Sequence, residues 1–445
     1  MKYFYLLLFF IPQILFSQTD ARLYDIIEDI SSKRIESDVT TLVNFGTRNT
    51  FSDTISNKRG IGAARRWIKA EFEHISKDCN NCLDIFYQKD FVTKKEGDRI
   101  PNDAWIVNVV AVQKGTKYPN RYIIMSGDMD SRNSDTMDFT NDAPGANDNA
   151  SGMAGTIEAS RVLSKYKFEN SIIYLGLSGE EQGLFGGKGF AEFVQKNNWE
   201  IIGVLNNDMI GNIEGIDGVI DNRTFRIFSE ATPPTETEKE RKARRSYGGE
   251  VDGNSRQLAR YILKQTTTYM PEMNPMMVYR LDRFGRGGHH KPFNDLGYAG
   301  VRIMEAHENY NRQHQNTRVE NGIKYGDVIE GVNFEFAKKI TAVNAIALAG
   351  LAASPKEPLN VLIGGIVEPN TKLLWEKPND DSIIGYKIYW RLTTSPQWEN
   401  SRFVGNVDAF ELKGIVIDNF YFGVASVSKN GHESIVVFPK DIIRK

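Results

Sequence analysis

Apolar side chains recur every three to four residues over 20–75, through Leu23, Ile26, Ile27 and Ile30 and again through Ala64, Trp67, Ile68 and Phe72. That spacing predicts amphipathic helices. A polar stretch with Gly46, Thr47, Arg48 and Asn49 separates the two groups. Short, nearly continuous apolar runs follow at 105–112, 122–125, 172–177, 201–205 and 300–304. Helical patterns fall at about 150–165 and 184–197, and a long amphipathic one over 327–352 closes the series. Strands that alternate with helices predict an α/β domain, with a mixed, largely parallel central sheet flanked by helices.

The pattern changes at Ala353-Ser354-Pro355-Lys356-Glu357-Pro358, a linker-like stretch. Beyond it come short alternating segments at 361–366, 372–375, 384–391, 410–412 and 420–427, separated by turn residues. This predicts a C-terminal all-β sandwich over 355–445, about 90 residues long. Residues 18–354 form the preceding domain.

The chain has 445 residues, 40% hydrophobic and 25% charged, with a net charge of -2. These values are ordinary for a globular protein, and no basic excess points to nucleic acid or to an anionic membrane. The mixed charge run at 235–245 reads as a solvated helix or loop. Residues 1–17 read as a secretion signal, with Lys2 ahead of an apolar run at 3–16 and the small Ser17 at its end. The run is short of the roughly 20 residues that span a bilayer. The expectation is a secreted or periplasmic protein with no membrane span after signal removal. Its two cysteines, Cys79 and Cys82, are expected to form a local disulfide in that setting.

Several apolar runs end in carboxylates. Asp128 and Asp130 follow one run, Glu180-Glu181 another and Asp208 a third; Asp148 stands in a Gly/Asn/Ser-rich turn, and His314 lies far downstream. In an open α/β sheet such positions converge on the crevice beyond the carboxyl ends of the strands. Hard oxygen ligands with one imidazole suit a divalent metal such as zinc. The adjacent glutamates offer a division of labour, one on the metal and one facing its water. There is no His-Glu-x-x-His pair, which excludes the helix-borne zinc arrangement. His289-His290 sits in a Gly-rich loop that either borders a substrate pocket or is a plain loop pair.

Gly145-Ala146-Asn147-Asp148-Asn149-Ala150-Ser151-Gly152, Ser178-Gly179-Glu180-Glu181-Gln182-Gly183 and Asn207-Asp208-Met209-Ile210-Gly211 resemble the signatures of the co-catalytic zinc exopeptidases. That family includes aminopeptidase S, plasma glutamate carboxypeptidase and, more distantly, glutaminyl cyclase. The resemblance covers roughly 35–350. It implies that Asp148 bridges two metals, Glu180 is the general base, Glu181 and His314 complete one metal site and Asp208 belongs to the other. It also sets His290 beside the substrate pocket. His307 competes with His314 for the last ligand position.

One departure stands out. The family has Gly-His-x-Asp-Ser where this chain has Gly127-Asp128-Met129-Asp130-Ser131. Asp130 matches the carboxylate that orients the missing histidine in relatives. If Asp128 binds, an all-oxygen shell of Asp128, Asp148 and Asp208 could favour Mn2+, Mg2+ or Ca2+ over Zn2+. If it does not, one zinc remains on Asp148, Glu181 and His314.

The expected function is that of an exported metal-dependent exopeptidase acting on peptide substrates, foremost an aminopeptidase. The alternatives are a glutaminyl-peptide cyclase and a non-catalytic binding relative. The C-terminal segment resembles a fibronectin type III domain through Leu374-Trp375, Gly385–Arg391 and Tyr421–Val427. Its partner cannot be read from the residues.

Overall fold

The computed structural model describes residues 19–97, 99–248 and 253–444. The expected secretion signal lies outside them. Three helices open the described chain: α1 (Ala21–Asp29), α2 (Ser32–Asn44) and α3 (Gly60–Asp78). Asp20 and Ser31 start the first two by accepting the amides of Arg22 and Arg34. The sheet strands and their helices follow in the order β1 (Leu83–Val92), β2 (Ala104–Gln113), β3 (Tyr118–Asp128), α4 (Gly152–Leu163), β4 (Asn170–Leu177), α5 (Phe185–Lys196), β5 (Glu200–Asn207), β6 (Thr224–Ser229), α6 (Glu238–Tyr247), α7 (Asn254–Tyr269), β7 (Asn274–Val278), α8 (His290–Asp295) and β8 (Gly300–Glu305). A small hairpin, β9 (Arg318–Glu320) and β10 (Ile323–Tyr325), precedes α9 (Phe334–Ala352).

The eight strands β1 to β8 form one mixed sheet in the order β1-β2-β4-β3-β5-β8-β6-β7. Its middle, β4-β3-β5-β8, is parallel throughout. Alternate side chains of the central strands feed two cores. Ile123, Met125, Ile172 and Tyr174 pack with α4 and α9 on one face. Tyr122, Ile124, Ile173 and Leu175 pack with Phe190 of α5 and Phe293 of α8 on the other. With both faces covered, the strands read as unbroken apolar runs. The chain leaves β3 to one side for β4 and returns to the other side for β5. This reversal opens a crevice at the carboxyl end of β3.

The expected central strands are all present, extended by a few residues. Three outer strands, β1, β6 and β7, were not expected from the sequence. The closing helix starts at Phe334 rather than 327, because the Asn333 side chain caps it by accepting the Phe336 amide.

Beyond α9, β11 (Leu359–Gly364), β12 (Thr371–Glu376), β13 (Ile383–Leu392), β14 (Asn400–Phe403), β15 (Ala409–Leu412), β16 (Phe420–Ser428) and β17 (Asp441–Ile442) make two sheets, β15-β12-β11-β17 and β14-β13-β16. They enclose a core that includes Val361, Leu373, Trp375, Tyr386, Ile388, Phe422 and Val424. Cys79 and Cys82 form a disulfide. Among the described residues no helix is long and apolar enough to cross a membrane.

Candidate metal centre

The parallel strands bring the candidate residues to one end of the sheet. Asp128 ends β3, Glu180 and Glu181 follow β4, and Asp208 follows β5. Asp148 lies in the six-residue turn Ala146–Ser151 that enters α4. Its position is fixed from two sides. The buried Asp327 carboxylate accepts the amides of Asn147 at 2.9 Å and Asp148 at 2.6 Å. The fully buried Arg48 guanidinium donates to the carbonyls of Leu42, Pro144, Gly145 and Met129 at 3.0, 2.6, 2.9 and 2.9 Å. Arg48 therefore ties the turn carrying Asp148 to the segment carrying Asp128 and Asp130. Gly145 has a φ of 53°, and a Cβ there would lie 2.5 Å from the Asp148 carbonyl.

Asp148, Glu181 and His314 come together. His314 Nε2 lies 2.9 Å from Asp148 Oδ2 and 3.0 Å from Glu181 Oε1. The ligand atoms of these three all fall within 4.8 Å of one another. Gln313 adds a hydrogen bond from its amide to Asp148 Oδ2 at 3.2 Å. His314 holds a φ of 56° and Met209, next to Asp208, a φ of 61°. Non-glycine residues rarely adopt this conformation, and it persists where the surroundings over-determine it. His307 is elsewhere, 3.8 Å from Asp217 and 3.9 Å from Asp221.

The other candidates have different partners. Asp128 Oδ1 lies 2.5 Å from His289 Nδ1, and its Oδ2 accepts the Asn149 amide at 2.9 Å. Asp208 Oδ2 lies 2.7 Å from Arg302 Nη2. Asp130 Oδ2 accepts the Thr50 hydroxyl at 3.0 Å and the Glu181 backbone amide at 3.2 Å, so it steadies the Glu180-Glu181 turn. His290 is fully buried, with Nε2 2.8 Å from the Leu281 carbonyl.

The electrostatics follow from crowding carboxylates in a dry crevice. Burial would lower the His314 imidazole, but Glu181 and Asp148 overcome it and raise it to about 9. Asp148 is held well below the ordinary carboxylate range; burial opposes this, and His314 outweighs burial. Burial pushes Asp128 and Asp130 each up to about 7 and lowers His289 to about 4. Glu180, half-buried, is raised by loss of solvent and by Glu181 and Asp208 beside it. Arg302 is fully buried; burial alone would weaken its charge, but Asp208 and Asp282 hold it protonated.

Arg48, Arg302 and Asp327 are contributors that motif reading passes over, while His289, read from the sequence only as half of a loop pair, lies against Asp128. Arg302 does leave a signal, because an arginine inside the apolar run 300–304 demands a buried acid.

Residues 108–326 match the profile of Peptidase family M28. A probable zinc metalloprotease of Pyrenophora tritici-repentis is 38% identical over 94% of this chain and 98% of its own length. The chain belongs to peptidase family M28. A second probable zinc metalloprotease, from Leptosphaeria maculans, is 40% identical over 93% of this chain and 95% of its own. The fold of this M28 zinc metallopeptidase is similar to that of the Legionella pneumophila LapA aminopeptidase. The TM-score is 0.54, with 19% identity over 75% of each chain.

Proposed function

We propose that this M28 protein is an exported zinc aminopeptidase that removes residues from the amino end of peptides. The observation that carries the reading is the Asp148–Glu181–His314 cluster with Glu180 beside it at the sheet crevice. Two oxygens and one imidazole nitrogen are a donor set that suits zinc. Three protein ligands with a position left open are the pattern of a catalytic rather than a structural site. When bound, zinc supplies an acidified water and a Lewis acid for the peptide carbonyl.

The rest of the chemistry falls to the chain. Asp148, Glu181 and His314 would hold the ion. Glu180 takes the proton of the attacking water and delivers it to the leaving amine nitrogen as the peptide bond breaks. Asp130 positions the Glu180-Glu181 turn through the Glu181 amide. The three motifs are common to amino- and carboxypeptidases of the family, so what supports amino-end cleavage is the fold likeness to the LapA aminopeptidase. Export is supported by Lys2 with its apolar run and by the Cys79–Cys82 disulfide, a bond that persists in oxidising compartments.

The test is mass spectrometry of free-ended peptides, one with N-terminal glutamine, incubated with the protein and zinc. Stepwise loss from the amino end is the expected result. Loss from the carboxyl end would replace it with a carboxypeptidase, and loss of ammonia alone with a glutaminyl cyclase.

A further inference from the structure

A second metal in this crevice would need Asp128, Asp148 and Asp208 together. The structure commits two of them elsewhere. Both oxygens of Asp128 are engaged, Oδ1 by His289 Nδ1 at 2.5 Å and Oδ2 by the Asn149 amide at 2.9 Å. His289 cannot move away toward α5, because its ring already lies against Gly187, where a Cβ would sit 2.6 Å from the ring Cδ2.

Asp208 faces a cation already. Arg302 Nη2 is 2.7 Å from its Oδ2, and Arg302 is fully buried. The guanidinium is fixed from behind by Asp282 Oδ1 and Oδ2 at 3.1 and 3.2 Å and by the Gly287 carbonyl at 3.1 Å. Arginine stays protonated in proteins, so this charge cannot be titrated away to admit an ion. Asp208 Oδ1 has no hydrogen-bond partner. One free oxygen beside Asp148 is still too few donors for the four-ligand shell that zinc prefers. A dication there would also meet the Arg302 charge in a medium of low dielectric.

We propose that this chain works with one metal ion: zinc occupies Asp148–Glu181–His314 alone, and Arg302 supplies in fixed form the positive charge that a second ion would bring to Asp208. The inference rests on the metallopeptidase reading above and adds the number of ions and the residue that sets it. Arg302 is then a positioning residue, acting through Asp208.

The experiment is a metal count, independent of any substrate. The purified protein is equilibrated with excess zinc and, separately, excess manganese, freed of loose metal, and weighed by native mass spectrometry with elemental analysis. One ion per chain is expected, lost in His314→Ala and retained in Asp208→Asn. Two ions in the wild type, with one lost in Asp208→Asn, would overturn the inference and leave the peptidase reading standing. No ion in the wild type would sink that reading instead, and the inference with it. The double variant Asp128→His, Arg302→Met restores the family ligand and removes the charge, so it should rise to two ions. A double variant that is folded by circular dichroism but still holds one ion would show that these residues do not close the site. If it fails to fold, the wild-type count and the Asp208→Asn count still decide.

Discussion

Glu180 and Glu181 are neighbours with separate tasks, because a turn sends adjacent side chains in different directions. Glu181 joins His314 and Asp148, while Glu180 stays outside the ligand cluster. Glu180→Gln keeps the shape and removes the base. It should lower kcat by about 10²–10⁴-fold, the usual worth of a positioned proton acceptor, with the zinc count unchanged. Glu181→Ala should lose the zinc. Steady-state kinetics with elemental analysis on the same samples checks both, and loss of zinc from Glu180→Gln would move that residue into the ligand set. The two glutamates were legible in the sequence because they directly follow an apolar strand. Asp128 was not, since its availability to a metal depends on His289, 161 residues away. Spacing along the chain carries no information on that pairing. Arg302 is the same case, and only its place inside an apolar run hinted at a buried acid.

Among the elements, the turn at Ala146–Ser151 carries the most chemistry for its size. It is held by groups from other segments, chiefly Arg48 and Asp327. Arg48→Met would leave the carbonyls of Pro144 and Met129 without their donor in a dry setting, while those of Leu42 and Gly145 keep the amides of Phe45 and Ala150. Each such orphan costs on the order of 1–3 kcal/mol, so urea unfolding should show a loss of about 2 kcal/mol or more. Zinc affinity should fall with it, because Asp148 moves with the turn. Retained stability would mean that water or another donor replaces the guanidinium. A second element-scale prediction concerns α5: Gly187→Ala places a Cβ against His289 and should shift that ring relative to Asp128. A changed Asp128–His289 hydrogen bond, followed by the imidazole proton signals in NMR, would report it. The strand pattern was legible where both faces of the sheet are covered, as in β3, β4 and β5. It failed for β1, β6 and β7. In β1 and β6 apolar residues are interrupted by polar ones such as Gln88, Lys89 and Arg226, and β7 is a five-residue edge strand with Pro275 in it and no fully buried side chain, so no long apolar run announces a strand.

At the scale of the whole molecule, the C-terminal sheets are fastened by charged pins to the part of the chain that carries the candidate metal centre. Lys117, at the start of the segment leading into β3, lies 2.7 Å from Asp380. Asp380 also accepts the Lys356 amide at 2.9 Å and the Ser382 hydroxyl at 2.6 Å. The sequence marked the linker at 353–358 by its prolines, but no pattern could show that a carboxylate 263 residues from Lys117 closes the junction. Burial would raise the Asp380 carboxyl; Lys117 and Ser382 outweigh it and hold the group well below the ordinary range, while Lys117 is raised in turn. Both partners therefore report a net favourable pair. The sign follows from linkage. A carboxylate with a depressed folded pKa stabilises the fold at pH above its unfolded value, about 3.9 for aspartate. That contribution is lost as pH falls from there through the lower folded value. Lys117 keeps partial solvent access, so screening limits the pair to about 1 kcal/mol. Asp380→Asn should lower the unfolding free energy by about that much at pH 7, and the gap to the wild type should narrow steadily as pH falls from about 4 toward the lower folded value. Urea titrations of both proteins at a series of pH values measure it. A constant difference across the acid limb would assign the loss to the Lys356 and Ser382 hydrogen bonds, which an asparagine side chain meets differently, rather than to the charge.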